Sequence, residues 1–246
     1  MENRKHTSLK DLAQALGVSI PTVSRALKDS PEISRELCAK AKALAKEMNY
    51  RPNPFAMSLR KNAPRIIGVI VPDIVTHFFA SILNGIENMA IANGYFVIIT
   101  TSHESYEHEK RNIENLVNMR VEGIIACLSQ ETTDFSHISA LKDINMPLIL
   151  FDRVCLTDQF SSVIADGAQS AQMATQHLLD NGSERVAFIG GANHLDIVKR
   201  RKHGYLEALR ENRIPIEKEL VVCRKIDYKE GKIATETLLS LPQPPD

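Results

Sequence analysis

The chain has 246 residues, of which 43% are hydrophobic and 24% charged, a composition typical of a globular protein. Its apolar runs, such as "IIGVIV", are too short to span a membrane, and no apolar run follows the charged start "MENRKHTSLK". Neither a membrane span nor a signal peptide is therefore expected. Four separated cysteines without a CxxC pair (Cys38, Cys127, Cys155, Cys223) favour a reduced, cytoplasmic protein.

The formal net charge of zero hides an uneven distribution along the chain. Residues 1–62 hold 12 Lys and Arg against 6 Asp and Glu, whereas the remainder holds 18 against 24. A basic N-terminal part on an acidic body indicates that the N-terminal part meets a polyanion, although chance variation in surface charge gives the same imbalance.

The N-terminal part opens with a predicted helix and a tight turn. Ser8 with Asp11 is typical of a capping box, and it precedes an apolar face: Leu12, Ala13 and Leu16. Gly17 then predicts a left-handed turn that ends the helix, with Val18 filling the turn.

Two further helices are predicted up to residue 50. Ser19 is a candidate N-cap of the second helix, which tolerates Pro21 in its first turn. Its predicted buried face is Val23, Ala26 and Leu27, and its solvent face is Ile20, Pro21, Thr22, Ser24 and Arg25. Ser34 is the candidate cap of the third helix, which ends before the prolines of "NYRPNP" and whose apolar positions are Leu37, Ala41, Leu44 and Met48.

Three short helices with a glycine turn between the first two form a helix-turn-helix pattern. The second helix keeps a polar N-terminal half, as a helix must when it enters the major groove of DNA. The alternative is a small helical bundle that contacts another protein.

The segments "SLKDLAQALGVSIPTVSRALKDSPEIS" and "NYRPNPFAMSLR" closely resemble the LacI/GalR family of bacterial regulators. The resemblance implies a helix-turn-helix domain over 1–52 and a hinge helix or linker over 53–62, with Leu59 as a minor-groove wedge. It implies base reading by Ile20, Pro21 and Arg25, of which the first two could make only apolar contacts, while Thr22 and Ser24 are expected on phosphate. The full expected DNA-binding set is Ser19, Ile20, Pro21, Thr22, Ser24, Arg25, Asn53, Ala56 and Leu59. For Leu59 the alternative is an ordinary buried leucine of a small amphipathic helix.

From Arg65 onward the pattern alternates between apolar strands and helices. The predicted strands are "RIIGVIVP", "YFVIITT", "VEGIIACL" and "PLILFD", and a second series begins at "VIAD" and continues with "RVAFIGG" and "LVVC". This alternation predicts doubly wound parallel sheets in two lobes, residues 63–153 and 154–246, the second of them incomplete. Ligands of such sheets bind at the carboxyl ends of strands, which predicts a cleft between the lobes.

The same family resemblance covers this body, which is similar to a periplasmic sugar-binding protein. It is carried by "VPDIVTHFFASILNGIE", "FDR" and "RKHGYLEAL". It implies an effector site formed by Asp73, Phe78, Phe79, Arg153, Asp166 and Arg201. A sugar is the expected effector because carboxylate and guanidinium groups pair with vicinal hydroxyls, but a purine or a sugar phosphate would also fit. Alternatively, Arg201 pairs within the protein and Asp166 caps the following helix.

Other motifs are weaker. "SHESYEHEK" does not match the HExxH spacing and is interpreted as a solvated helix start, and "FIGGANHLD" lacks the GxGxxG and GK[ST] patterns. No catalytic set, metal site or cofactor is therefore expected, and an enzyme of the sugar-kinase or dehydrogenase kind ranks third. The leading hypothesis is a dimeric, operator-binding transcription regulator, most simply a repressor, that responds to an effector. The second is a solute-binding module without a regulatory role. Because "PQPPD" follows the final helix where family members continue, the sequence resembles a C-terminally truncated member.

Overall fold

The computed structural model describes residues 7–50 and 65–246. The chain divides into two compact units, Met1–Pro64 and Arg65–Asp246. The predicted hinge, with Asn53, Ala56 and Leu59, lies outside the described residues.

The described part of the first unit contains three helices. They are α1 (Leu9–Leu16), α2 (Ile20–Ala26) and α3 (Arg35–Glu47). The predicted capping box is present, since Asp11 accepts from the Ser8 backbone N–H at 2.8 Å while the Ser8 hydroxyl accepts from the Asp11 N–H. Gly17 ends α1 with a φ of 64°, a left-handed conformation that glycine adopts without a Cβ penalty.

Small and apolar side chains form the interior of this three-helix unit. Leu12, Val23 and Ala45 are buried together, one from each helix. A second cluster joins Ala26 of α2 to Cys38 and Ala41 of α3. One face of the seven-residue helix α2 is thereby fixed to α1 and α3, so the opposite face is left to solvent.

The second unit begins with a five-stranded parallel sheet. Its strands are β1 (Ile66–Val71), β2 (Phe96–Thr101), β3 (Gly123–Ala126), β4 (Leu148–Phe151) and β5 (Ser161–Val163), in the order β2-β1-β3-β4-β5. The helices that connect the strands are α4 (His77–Ala92), α5 (Tyr106–Asn118) and α6 (Ser136–Asp143). Apolar residues bury both faces of the central strands, as a parallel sheet requires: Ile66, Ile70, Ile124 and Leu150 belong to one cluster, and Val69 and Val71 to the other.

The strand predicted at "VIAD" differs from expectation in position and in partner. Strand β5 covers Ser161–Val163, so Ile164–Asp166 follow it, and it pairs in parallel with β4 of the first sheet. The prediction that this strand opens the second lobe is wrong. A short edge strand with two serines carries little apolar pattern, and local sequence does not specify which sheet a strand joins.

The rest of the unit forms a second lobe around a small parallel sheet. Its elements are α7 (Gly167–Asp180), β6 (Phe188–Gly190), α8 (Asp196–Glu211), a 3₁₀ turn (Lys218–Leu220), β7 (Val221–Cys223) and α9 (Tyr228–Leu239). Strand β6 pairs with β7, and a buried cluster of Val186, Tyr205 and Leu209 joins the sheet to α8.

Helices α7 and α8 pack at unusually short range. A Cβ on Gly204 would lie 1.9 Å from the carbonyl oxygen of Ala168, so only glycine allows this approach of the two backbones. Within the described ranges, no helix is both long and apolar enough to cross a bilayer.

Candidate functional site

The solvent face of α2 carries the residues predicted to read DNA. Ile20, Pro21 and Arg25 are exposed, whereas Val23 and Ala26 are fully buried on the other face. The Ser19 side chain accepts from the Thr22 N–H at 3.3 Å, so Ser19 is the N-cap and leaves the first turn of α2 at the surface.

Several of the residues predicted to contact DNA already have partners within the unit. The Thr22 hydroxyl lies 2.8 Å from the Ser19 hydroxyl. The Arg25 guanidinium donates to Glu32 at 2.8 Å, and both side chains are more than half exposed. Exposed ion pairs contribute only about 0–1 kcal/mol, so a phosphate or a base edge competes readily for Arg25.

In the second unit the carboxyl ends of all five strands of the first sheet meet at one edge, as they must in a parallel sheet. The residues that follow those ends include Asp73 after β1, Glu104 after β2, Asp152 and Arg153 after β4, and Asp166 after β5. Of the expected effector residues, Arg201 alone is on α8.

The two adjacent phenylalanines of α4 have different surroundings. Phe79 is only 6% exposed and packs edge-on against Phe151 of β4, with ring centroids 6.4 Å apart. Phe78 is 50% exposed and lies edge-on to Phe79 at 5.1 Å. Phe78 therefore offers apolar surface, while Phe79 supports it from the core. Asp73 fixes the preceding loop by accepting from the Val75 N–H at 2.8 Å.

Arg153 is committed to contacts within the protein. Its side chain is 7% exposed and donates to Glu104 at 2.6 Å and to the Leu128 carbonyl at 3.2 Å. Burial lowers the pKa of Arg153, but the hydrogen bond and charge of Glu104 more than offset that effect. Glu104 has a φ of 58°, a left-handed conformation that a non-glycine residue keeps only when its surroundings hold it.

Asp152 lies between charges from both lobes. Burial raises the pKa of its carboxyl group, while the positive charges of Arg153 and of Arg201 act in the opposite direction. Arg201 of the second lobe is thus close enough to act electrostatically on a carboxylate of the first. A partly desolvated carboxyl group beside a guanidinium is suited to hydrogen bonding with a polar ligand.

Asp166 and Arg201 meet the start of α7 in different ways. Asp166 is its N-cap and accepts from the Ala168 and Gln169 N–H groups at 3.1 and 3.0 Å, as the alternative interpretation expected. Arg201 is exposed, and its Cγ would lie 3.3 Å from a Cβ on Gly167. Among the described residues none accepts a hydrogen bond from Arg201, so its donors remain available.

Sequence reasoning missed the loop that joins the two lobes. Gln130, after β3, accepts at its carbonyl from His194 and at its side chain from the Ile226 N–H, both at 2.8 Å. His194 belongs to the "GGANHLD" loop after β6, but nothing local marks Gln130 as its partner. A cavity of about 240 Å³ lies beside this contact, lined by residues of both lobes that include Ser129, Arg153 and His194.

The segment "SHESYEHEK" is only partly the solvated helix start that was expected. Glu109 is 0% exposed and accepts from the Thr132 hydroxyl at 2.9 Å and pairs with His137 at 2.8 Å. The period of α5 turns Glu109 toward the α6 side of the sheet, where it anchors the loop before α6. Among the residues described, no cluster of His, Cys, Asp and Glu is arranged to hold a metal ion.

Comparison with known proteins agrees with this architecture. Residues 8–53 match the family model described as bacterial regulatory proteins of the lacI family. Residues 65–246 match the model for periplasmic binding proteins and the sugar-binding domain of the LacI family. The chain belongs to the LacI family of bacterial regulatory proteins.

Individual relatives extend over nearly the whole chain. Catabolite control protein A of Priestia megaterium is 31% identical over 98% of this chain and 72% of its own length. The probable transcriptional repressor ExuR of Bacillus subtilis is 33% identical over 97% of the chain and 71% of its own length. Transcription regulator CcpA of Lactococcus lactis has a TM-score of 0.66 at 30% identity, covering 71% of this chain and 64% of that one.

A solved lac repressor dimer, bound to operator and the anti-inducer ONPF, matches 96% of the chain. Its TM-score is 0.73 at 25% identity, and the match covers 70% of that chain. These findings confirm the helix-turn-helix head, the parallel α/β body and a DNA-binding regulator of transcription as the class of protein. ExuR, CcpA of Lactococcus lactis and the lac repressor are all named as regulators of transcription or repressors.

Proposed function

We propose that this chain represses transcription by binding operator DNA through the N-terminal half of α2, and that a small effector in the interlobe cleft changes its operator affinity. The observation that carries the proposal is the two-faced α2. Val23 and Ala26 fix one face in the core, while Ile20, Pro21 and Arg25 stand exposed on the other. This regulator acts in the cytoplasm and has no enzymatic activity of its own.

The residues of α2 divide into three chemical roles in this proposal. Arg25 donates to a base edge, with guanine offering two acceptors in the major groove. Ile20 and Pro21 have no side-chain donor and pack against apolar groups such as a thymine methyl. Thr22 and Ser24 contact phosphate, and Ser19 caps the helix beside them. Asn53, Ala56 and Leu59 lie outside the described residues, and of these Leu59 is the proposed minor-groove wedge.

The proposed effector is a sugar or a similarly polyhydroxylated molecule. Arg201 supplies free donors, Asp152 a partly desolvated carboxyl group, and Phe78 an exposed aromatic face. Asp73 follows the end of β1 and Asp166 the end of β5, at the same edge of the sheet, and Arg153 and Phe79 hold the site from beneath. The resemblance of residues 65–246 to sugar-binding domains supports this class of ligand.

We propose that the regulator acts as a homodimer through the β2 edge of the first sheet. Strand β2 is the edge strand, and it exposes Phe96 and Ile99. The adjacent helix α4 exposes Met89 and Ile91 near its end. A second copy would cover this apolar surface and place two heads on a two-fold-symmetric operator.

DNA binding is tested by selecting duplexes from a random pool with the full chain and measuring affinity at several salt concentrations. Arg25→Ala should cost about 1–3 kcal/mol and relax specificity at one base position. Arg25→Lys is the matched control, since it keeps the charge but lacks the fork that pairs with guanine. If Arg25→Lys restores full specificity, Arg25 contacts only phosphate.

Effector binding is tested by thermal shift with a panel of monosaccharides and nucleosides, followed by DNA affinity with each compound that binds. Arg201→Ala should abolish the shift and leave DNA affinity intact. Arg210→Ala, near the far end of the same helix, should change neither. A ligand that binds without any effect on DNA affinity would favour the solute-binding alternative.

A further inference from the structure

The loop after β3 makes the polar contacts that join the two lobes. The side-chain carbonyl of Gln130 accepts from the Ile226 N–H at 2.8 Å, and its main-chain carbonyl pairs with His194 Nε2 at 2.8 Å. Lys225 lies 3.6 Å from Glu131 in an exposed ion pair. Among described residues 65–246, the side-chain hydrogen bonds and ion pairs between the lobes converge on Gln130 and Glu131.

The first lobe holds this loop rigidly from below. Glu104 accepts from the Gln130 N–H at 2.8 Å while it also pairs with buried Arg153. Glu109 accepts from the Ser129 N–H and from the Thr132 hydroxyl. Gln130 is only 7% exposed. Glu104 fixes its N–H, Glu109 fixes the adjacent Ser129, and the second lobe contacts its two carbonyl groups.

Gln130 contacts the second lobe at the ends of both of its strands. His194 follows β6, and Ile226 follows β7 and packs so closely on Gly191 that an added Cβ there would lie 2.6 Å from Ile226. One residue of the first lobe therefore contacts the loops after both strands of the small sheet. Any opening or closing of the cleft between Asp152 and Arg201 must lengthen, break or pivot about these two hydrogen bonds.

We propose that Gln130 is a positioning residue that fixes the second lobe relative to the first and sets the opening of the cleft. Its side-chain carbonyl acts as the latch for the loop after β7, and its main-chain carbonyl acts as the pivot for the loop after β6. The consequence for regulation rests on the proposed function, but the effect on lobe geometry does not. Gln130 is not among the residues proposed to contact the effector and acts through Ile226 and His194.

The test measures the distance between spin labels on the two lobes of the full chain. The labels are attached to cysteines that replace exposed Lys142 of α6 and Lys232 of α9. Cys223→Ser removes the least buried native thiol, which would otherwise also be labelled. Gln130→Leu removes the acceptor and keeps similar volume, whereas Gln130→Glu keeps an acceptor oxygen. Glu131→Gln is the matched control, because it weakens an exposed ion pair next to the latch and leaves both Gln130 bonds in place.

We expect one narrow distance distribution for the unsubstituted lobes, for Gln130→Glu and for Glu131→Gln, and a broadened one for Gln130→Leu. Amide exchange of the peptide that contains Ile226 should accelerate about two- to tenfold in Gln130→Leu, the range that corresponds to loss of one typical hydrogen bond. Exchange in β1 should not change.

An unchanged distribution in Gln130→Leu, or equal broadening in Gln130→Leu and Gln130→Glu, would overturn the proposal. So would equal broadening in Glu131→Gln. If β1 also loses protection in Gln130→Leu, the shorter polar variant Gln130→Ser replaces it, since a serine hydroxyl does not reach Ile226. DNA binding by the head is measured in parallel, so failure of the latch and failure of DNA recognition give separate results.

Discussion

Replacing Gly204 with alanine should separate α7 from α8. An added Cβ on Gly204 would lie 1.9 Å from the Ala168 carbonyl oxygen and 3.0 Å from the Gln172 nitrogen. Both groups belong to the α7 backbone and cannot rotate away as a flexible side chain does. The two helices must therefore move apart by roughly 1.5 Å, or one of them must shift along its axis, to reach an ordinary contact.

The expected loss of stability combines two opposing effects. Overpacking of this kind costs about 1–3 kcal/mol, while alanine in place of helical glycine contributes about 1 kcal/mol of helix propensity. The net loss should be about 0–2 kcal/mol. Gly231 of α9 is the matched control, since nothing lies within 4 Å of its added Cβ, and Gly231→Ala should stabilise by up to about 1 kcal/mol.

The assay is urea unfolding of the full chain, monitored by circular dichroism. The stabilities of the two variants are compared on the condition that their m-values are equal. The reasoning is refuted if Gly204→Ala is as stable as Gly231→Ala. Because α7 starts beside Asp166 and α8 carries Arg201, Gly204→Ala should also weaken any ligand that bridges those two residues, while Gly231→Ala should not.

Three further outcomes are expected. Glu32→Gln, which releases Arg25 from its exposed partner and removes a negative charge near the DNA-facing helix, should tighten duplex binding severalfold at low salt; weaker binding would show that Glu32 orients Arg25. Cys127 should resist iodoacetamide at pH 8 in the native chain, since burial raises its pKa to about 12, and Cys223 should react first by peptide mapping. Asp152→Asn should melt at a higher temperature than the unsubstituted chain, and this difference should grow as the pH rises above 3.8. Burial raises the pKa of Asp152 in the folded chain, so ionisation of its carboxyl group destabilises the fold. An equal difference in melting temperature at pH 4 and pH 7 would contradict this.

The features predicted well from sequence are those decided by neighbouring residues. Ser8, Ser19 and Ser34 cap their helices as expected, because an N-cap side chain binds an N–H only two or three residues away. The turn at Gly17 depends on one backbone conformation that glycine favours. The central strands β1 and β3 were recognised because burial on both faces leaves a continuous apolar run.

The features that sequence reasoning missed depend on distant partners. Strand β5 joins the first sheet only because β4 offers an unpaired edge, which no local pattern records. Glu109 is three residues after the start of α5, yet it is buried because Thr132 and His137 satisfy its carboxylate. Gln130 has no distinguishing neighbours, and its importance follows from Ile226, 96 residues further along the chain.

The state of Arg201 connects stability to the proposed site. Its neighbours on the same surface are paired, since Arg200 donates to Asp196 at 2.6 Å and Arg153 to Glu104. Arg201 instead extends across Gly167, and none of the described residues accepts a hydrogen bond from it. Hydrogen bonding within the folded chain therefore does not fix its side chain. The positive charge of Arg201 does act on the carboxyl group of Asp152 in the other lobe. Under the proposed function, such an unpaired donor near a partly desolvated carboxyl group serves ligand binding more than folding, and we expect a ligand that pairs with both groups to draw the lobes together.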